Sequence, residues 1–535
     1  MSHHPAAVII LAAGEGTRMR SRTPKVLHRI GGRSLLGHAM HAARQVSPEH
    51  LAVVVRHERE LVAAHVAEVD PAALVADQDE VKGTGRACEC GLDVLPADLT
   101  GTVLVTMGDV PLLTGDTLAE LTARHEDSGA AVTVITSELP DAKSYGRVVR
   151  DDAGDVLAIV EFKDALAHRE AGDELSHVVD IREINSGIYA FDAQVLRSAL
   201  AEVGTDNAQG EKYLTDVIAI ARREGRKVTA HLVEDLWQTE GVNDRVQLAL
   251  LGKELNRRLV ERWMRDGVTV VDPDTTWVDA EVTIGQDTVI RPGTQLLGAT
   301  TIGADAVIGP DTTLESTEVA DGATVVRTQA HHAVIGERAT VGPFSYLRPG
   351  TVLGAEGKIG GFVETKNAQI GDGAKVPHLT YCGDATIGEG ANIGAGTIFA
   401  NYDGVDKHHS HVGRHSFVGS DSVLVAPVDI ADGAYVAAGS TVTGEVGPGQ
   451  IAVARGRQKN VDGWVARRRP GTRTASAAQE AVAAGTRHVT TPAGGSSTTP
   501  PGGSSPAPTD GAEPADGPGE RPHTVSPDAT TPQEG

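Results

Sequence analysis

Between Val8 and about Arg245 the chain alternates short apolar runs with helical stretches. Val8-Ile9-Ile10-Leu11 is β-branched and short, and LAVVV (Leu51 to Val55), TVLVT (Thr102 to Thr106) and AAVTVIT (Ala130 to Thr136) repeat the pattern. Each has the length and composition of a buried strand. The alternation predicts a mainly parallel sheet with helices on both faces, an α/β, Rossmann-like domain over residues 1–245. After it, Leu248, Leu251, Leu255, Leu259 and Trp263 recur at three- and four-residue steps and Gly267 ends the run. This is one amphipathic connecting helix, expected over 246–266.

From 267 the period becomes six. Aliphatic positions step from Ile284 through Ile290, Leu296, Ile302 and Ile308 to Leu314, resume from Ile335 to Ile359 and from Ile370 to Phe399, and end with Val412 to Val442. Such persistence identifies a hexapeptide repeat. Each hexad supplies one short strand with an inward aliphatic and a small corner residue, so stacked coils bury a column of aliphatics. Resemblance to hexapeptide proteins implies a left-handed parallel β-helix, here over 267–470. The register lapses around Thr317 to Val334, Gly361 to Gln369 and Phe399 to His411. These segments are expected to bulge as loops and to collect binding groups. Cys382 falls on a core step and reads as a buried small hydrophobe. Beyond Pro470 the chain is Thr, Ser, Pro, Gly, Ala and acid, and 471–535 is expected to be a disordered tail.

Length and charge narrow the function. A chain of 535 residues has room for several cores, and a net charge of −24 argues against a general nucleic-acid binder. Anionic ligands must then be met by local cationic clusters. Only Cys88, Cys90 and Cys382 occur, without a C-x-x-C pair, so disulfides and structural zinc are not expected and a cytoplasmic location is. No apolar run reaches spanning length, which predicts no membrane partner.

The turn after the first strand, LAAGEGTRMRSRTPK, is neither a Walker loop nor a dinucleotide fingerprint: G-K-[ST] is missing and Met19 stands where a third glycine belongs. Gly14-Glu15-Gly16-Thr17-Arg18 lets backbone N–H groups approach an anion, and Lys25 follows on a rigid Pro24 turn. These are parts for gripping a triphosphate. TVLVT runs into Met107-Gly108-Asp109, placing a carboxylate at a strand's carboxyl end, where open α/β sheets bind ligands and where Mg²⁺ finds a protein oxygen. Between Arg348 and Tyr402 polar groups crowd the irregular coils in RPG, FVETK, PHLTYCGD, NIGAG and NYDG. His378 there is the natural general base, since a neutral imidazole can take a proton from an attacking amine.

The order LAAGEGTRM, PK, GTG, GD, YGR, VE-K, NSG, GVN, joined to a hexapeptide β-helix, resembles the bacterial bifunctional N-acetylglucosamine-1-phosphate uridylyltransferase and glucosamine-1-phosphate acetyltransferase family across all but the tail. The resemblance implies that Leu11, Ala12, Ala13, Gly14, Arg18 and Lys25 hold the UTP phosphates and that Gln78, Gly83 and Thr84 read uracil. Met107 and Gly108 would line the same site, Asp109 and Asn243 would hold Mg²⁺, and Gly146, Glu161 and Asn185 would grip the sugar. On the β-helix it implies that Arg348, Lys366, Tyr381 and Asn392 bind glucosamine 1-phosphate. Ala395, Asn401, Tyr402, Ser420, Ala438 and Arg455 would contact acetyl-CoA. Trp464 either covers the coenzyme or simply packs. Three positions depart from the family pattern: Met107 for Tyr, Arg86 for His and Phe162 for His. The family is trimeric, so a homotrimer acting on small molecules, UTP and acetyl-CoA, is expected. A β-helix that only oligomerised would not need His378, Lys366, Tyr381 and Asn401-Tyr402 together.

Overall fold

The computed structural model describes residues 3–142, 145–152, 154–205 and 210–485. They fall into two units, one ending at Gly456 and one beginning at Arg457.

The first unit opens with an α/β domain. Its sheet runs in the order Leu74–Asp77, His50–Val55, Ala7–Leu11, Thr102–Met107, Glu183–Asp192, Val132–Glu138, Val228–Leu232, and Glu183–Asp192 is the antiparallel member of that path. The apolar runs lack polar alternation because both faces are covered. Ile9 and Leu11 join one buried cluster with Ala52, Val54, Val103 and Val105, while Val8 and Ile10 join another with Leu51, Val53 and Leu104. Strand order reverses between Ala7–Leu11 and Thr102–Met107, whose ends are paired Leu11 to Met107. That switch point leaves a crevice above the two carboxyl ends.

The connecting helix is Arg245–Arg265, with Asp244 accepting hydrogen bonds from the N–H groups of Val246 and Gln247 at 2.9 Å. Leu251 packs with Met19, Ile30 and Leu35 of the α/β domain, and Val260 joins the β-helix core. Asn256 clasps the first coil, donating to Thr276 O at 2.8 Å and accepting from Val278 N at 2.9 Å.

The coils that follow form a parallel β-helix of the left-handed hexapeptide class. One face is an eleven-stranded sheet and the other two merge in a seventeen-stranded one. The six-step aliphatics form the core: Ile290, Leu296, Ile308, Leu314, Ile335, Val341, Ile393, Phe399 and Val412 are all fully buried. Several buried corner hydroxyls are satisfied by carbonyls of their own turn, as in Thr300 to Leu297 O and Thr397 to Gly394 O, both at 2.7 Å, and others by the next coil, as in Ser345 to Gly360 O at 2.8 Å.

Two of the three expected loops are absent. Across 317–334 strands continue at Glu318–Val319, Thr324–Val325 and Thr328–His331, and across 361–369 Glu364–Ile370 is one strand. Ile302 pairs with Val319 and Val319 with Ile335, so these coils lose a residue or two at a corner and stay in register. A lapse from six marks a shortened corner there, not an insertion. At the third break Ile387 pairs with Val412, and the segment between Ala400 and Ser410 does leave the coil.

In the second unit, Trp464–Arg468 and Arg473–Ala483 are helices. The latter lies where the composition predicts disorder. Thr472 caps it, accepting from Ala475 N at 3.3 Å, and a run with five alanines has the propensity to form it. The rest of the expected tail, 486–535, lies outside the described residues. Among the described residues no helix is long and apolar enough to cross a membrane.

Candidate functional sites

The crevice at the switch point is an open cleft of about 430 Å³. Ten of the residues expected to hold UTP line it: Leu11, Ala12, Ala13, Gly14, Lys25, Gln78, Gly83, Thr84, Met107 and Asp109. Glycine supplies the close approaches. Gly14 faces open space, and Gly16, in the left-handed region at φ 61°, lies where any Cβ would run into the Lys25 side chain. Gly108 N donates to Leu11 O at 2.9 Å, tying the two strand ends together.

The two cations expected to meet phosphate are each held by one of the two expected metal ligands. Lys25 forms an ion pair with Asp109, and Arg18 Nη2 donates to Asn243 Oδ1 at 2.7 Å. The turn carrying Asn243 leans on Asp109, with Val242 N donating to Asp109 O at 2.9 Å. One carboxylate and one amide carbonyl, already faced by cationic groups, make an oxygen-only donor set that fits Mg²⁺.

Gly146, Glu161 and Asn185 come together although they do not line this cleft. Asn185 N donates to Gly146 O at 3.0 Å, and a Cβ on Gly146 would stand 3.6 Å from both Glu161 oxygens. Asn185 Oδ1 accepts from Gly187 N at 3.0 Å and Tyr189 OH at 2.9 Å, which orients its amide nitrogen as the remaining donor. Burial, with Asp164 and Asp216 nearby, raises the Glu161 carboxyl above the ordinary range.

The three departures each have a structural counterpart. The Met107 side chain packs against Gly187, where a Cβ would come within 2.9 Å of Met107 Cε. Phe162 is covered by the Arg147 guanidinium at 5.2 Å from the ring centre. Arg86 pairs with Asp79 and Glu89. The sequence motifs assign no binding role to Glu15, Arg56, Lys82 and Glu211, which also line the cleft, nor to the bond from Tyr145 OH to Glu240 Oε2 at 3.3 Å. Arg56 follows directly on the strand His50–Val55, so the rule for strand carboxyl ends could have found it.

On the β-helix the expected residues sort onto two corners and the face between them. Arg348 N donates to Thr365 O, and Lys366 stacks in register on Gly383, so Arg348 and Lys366 share one corner. Arg348 pairs with Glu364 at 3.0 Å. Lys407, from the inserted loop, reaches Lys366; their contact, with Arg348 close by, holds the Lys366 ammonium below its usual range. Asp384 accepts from Asn367 at 2.9 Å and from Asn401 at 2.5 Å. Its burial opposes ionisation, but these bonds and the charges of Lys366 and Lys407 outweigh it and keep the carboxyl ionised at lower pH than usual. Gly383, lacking a side chain, makes room for the Tyr381 hydroxyl and the Asn401 amide. Asp384 and Lys407 were not singled out from the sequence. The second comes from an insertion whose return path has no periodicity to read.

His378, Ala395, Ser420 and Ala438 run along the neighbouring corner. Gly396 N donates to His378 O at 3.2 Å, Asp421 N to Ala395 O at 2.7 Å and Gly439 N to Ser420 O at 2.8 Å. Arg455 continues the column, its Nη1 donating to Ala438 O at 2.9 Å. At about 4.8 Å per coil, the edge from His378 to Ala438 runs roughly 14 Å. His378 and Tyr402 are exposed. Tyr402 bridges to Lys407 within the loop, and its hydroxyl donates to Gly404 O at 2.7 Å. Asn392 stands apart: it pairs with Lys375 and Phe417 on the eleven-stranded face, across the corner from Tyr381 and Lys366. In the second unit Trp464 is half-exposed and has the Arg469 guanidinium 5.7 Å over its ring.

Comparison with known proteins agrees with this two-part layout. Residues 8–176 match the family model of the MobA-like NTP transferase domain, and 411–444 that of the hexapeptide repeat of succinyl-transferase. The chain is 59% identical over 480 residues to the bifunctional protein GlmU of Pseudarthrobacter chlorophenolicus, spanning 89% of this chain and 96% of that one. It is 56% identical to the GlmU of Streptomyces avermitilis (89% of this chain, 97% of that one) and 55% identical to that of Corynebacterium glutamicum ATCC 13032 (90% and 98%). With over half of the residues shared along nearly the whole of each relative, the chain belongs to the family of bifunctional GlmU proteins.

Proposed function

We propose that this chain makes UDP-N-acetylglucosamine in two reactions, one in each part. The β-helix transfers acetyl from acetyl-CoA to glucosamine 1-phosphate. The α/β domain then transfers uridylyl from UTP to N-acetylglucosamine 1-phosphate and releases pyrophosphate, supplying a cell-wall precursor. The observation that carries the reading is that one chain holds both a cationic, glycine-lined cleft at a sheet switch point and an exposed imidazole on a small-residue edge next to a cationic corner.

In uridylyl transfer the attacking sugar-phosphate oxygen is already an anion, so the enzyme aligns and neutralises. Arg18 and Lys25 do the neutralising, exchanging their bonds to Asn243 and Asp109 for phosphate oxygens. Asp109 and Asn243 would hold Mg²⁺, which when bound draws charge from the phosphate oxygens. Gly146, Glu161 and Asn185 orient the sugar, and Gln78 with Gly83 and Thr84 meets the base.

In acetyl transfer His378 Nε2 or Nδ1 takes a proton as the amine nitrogen attacks the thioester carbon. The C–S bond then breaks and the thiolate leaves. Arg348 and Lys366 grip the phosphate monoester, with Tyr381 and Asn392 positioning the sugar. The coenzyme lies along Ala395, Ser420, Ala438 and Arg455 with Asn401 and Tyr402. Because Asn392 faces away from Lys366, and His378 stands on a convex edge, the active form is read as a homotrimer with sites between neighbouring prisms. The buried free thiols of Cys88, Cys90 and Cys382 support a cytoplasmic location.

The test is to incubate the pure protein with glucosamine 1-phosphate, acetyl-CoA, UTP and Mg²⁺ and to omit each in turn. UDP-N-acetylglucosamine must form only in the complete mixture. Omitting UTP must leave N-acetylglucosamine 1-phosphate as the product; failure of either outcome overturns the reading.

A further inference from the structure

Gln78 enters the cleft from the turn after Leu74–Asp77. Its Nε2 donates to Val81 O at 2.9 Å and to Gly83 O at 3.2 Å. Two carbonyl partners require the nitrogen on that side, so the amide presents Oε1 as its remaining face, an acceptor. An acceptor suits the N3–H of uracil and repels the N3 lone pair of cytosine.

Val81 is itself held by Asp79, whose Oδ1 accepts from Val81 N at 3.0 Å. The other oxygen, Oδ2, accepts twice from Arg86, from Nε at 3.0 Å and from Nη2 at 2.7 Å. These bonds from Arg86 lead the interactions that keep Asp79 ionised. Arg86 Nη1 continues to Glu89 Oε2 at 2.6 Å, and Glu89 also accepts from Lys212 Nζ at 2.9 Å. The Lys212 backbone closes the frame, donating to Lys82 O at 2.9 Å and accepting from Gly85 N at 2.8 Å. One guanidinium thus ties the base-side turn to the helix Thr84–Asp93 and, through Glu89, to the strap that crosses it.

We propose that Arg86 is a positioning residue for base selection: through Asp79 and Val81 it fixes the Gln78 amide as an acceptor and so favours uridine over cytidine triphosphate. The inference rests on the uridylyl-transfer reading. Without Arg86 the Asp79 carboxylate is released, the Val81 carbonyl loses its anchor, and the Gln78 amide is free to turn and donate to N3 of cytosine. Arg86 touches no reacting atom, so its loss acts on nucleotide choice and affinity.

The experiment measures kcat/KM for UTP and for CTP, with N-acetylglucosamine 1-phosphate as acceptor, in full-length wild-type, Arg86→Ala, Arg86→Lys and Asp79→Asn chains. Arg86→Ala is expected to lower the UTP:CTP ratio about tenfold, chiefly through a higher KM for UTP and a lower one for CTP. Arg86→Lys, which keeps one bond to Asp79, restores part of the ratio. Asp79→Asn keeps the bond to Val81 N but loses the ionic pair; it shifts the ratio the same way by less, and it stands in if Arg86→Ala does not fold. Acetyl transfer is the internal control and stays unchanged. Equal losses for both nucleotides would overturn the proposal while leaving uridylyl transfer intact. A wild-type chain that accepts neither nucleotide would overturn the reading beneath it.

Discussion

In the α/β domain the two cations expected to meet phosphate each have a partner: Lys25 has Asp109 and Arg18 has Asn243. On the β-helix Lys366 meets Lys407, Arg348 pairs with Glu364, and His378 stands exposed on a corner. The difference follows from the scaffolds. A doubly wound sheet makes a concavity wherever its strand order reverses, so one chain can surround a ligand there. A triangular prism is convex, so its groups line edges and corners, and a second surface would have to close over them.

The largest effects should separate the two sites completely. Lys25→Ala is expected to abolish uridylyl transfer and leave acetyl transfer at its wild-type rate. His378→Ala should do the reverse, lowering acetyl transfer by about 10²- to 10⁴-fold, the usual share of a general base. Both rates are read on the same preparations. Loss of both activities in either folded variant would break the comparison, since it would mean that the sites share machinery.

The proposal that acetyl-transfer sites are shared between chains is tested by mixing subunits. Chains carrying His378→Ala and chains carrying Arg455→Ala, each inactive alone in acetyl transfer, should regain activity once they have exchanged within one oligomer. Verified mixed oligomers that stay dead would show that each chain completes its own site.

A smaller effect concerns stability. His38, on the helix Leu35–Gln45 beneath the hairpin that follows Lys25, is buried and bonds Ile30 O at 2.9 Å. Burial pushes its pKa from 6.5 down to about 4. The unfolded chain therefore binds the extra proton first, so stability is full above about pH 6.5 and falls as pH drops toward 4, by on the order of 3 kcal/mol. The urea midpoint for loss of uridylyl transfer should drop between about pH 7 and pH 4.5, and His38→Gln should flatten that drop. The midpoint for acetyl transfer should move less. A steeper fall for acetyl transfer would reverse the expected contrast.

The smallest expected change comes from removing 486–535, a stretch poor in apolar residues. Both values of kcat/KM should stay within about twofold. A large rise in either KM in the shortened chain would assign the tail a role in that site.

Much of this was legible from residue order. The six-step aliphatics mark the β-helix core because each inward position must bury, and Ile290, Leu314 and Phe399 all do. The apolar runs of the first domain mark its strands because both sheet faces are covered. Lapses in the period were misread at 317–334 and 361–369, since a deletion at a corner and an insertion look alike in a one-dimensional register.

By itself the sequence determined the two architectures, the connecting helix Arg245–Arg265 and most of the cleft, because local periodicity and short glycine turns are set by neighbours along the chain. Only the tertiary structure decided which charges meet. Lys25 with Asp109, Arg18 with Asn243 and Lys366 with Lys407 come from separate segments, Arg18 and Asn243 from opposite ends of the α/β domain, and Arg86 meets Asp79 across a turn. The same holds for the separation of Asn392 from Tyr381 by a prism corner. Pairing and facing depend on how strand ends and coils stack in space, and no pattern along the chain encodes the partner.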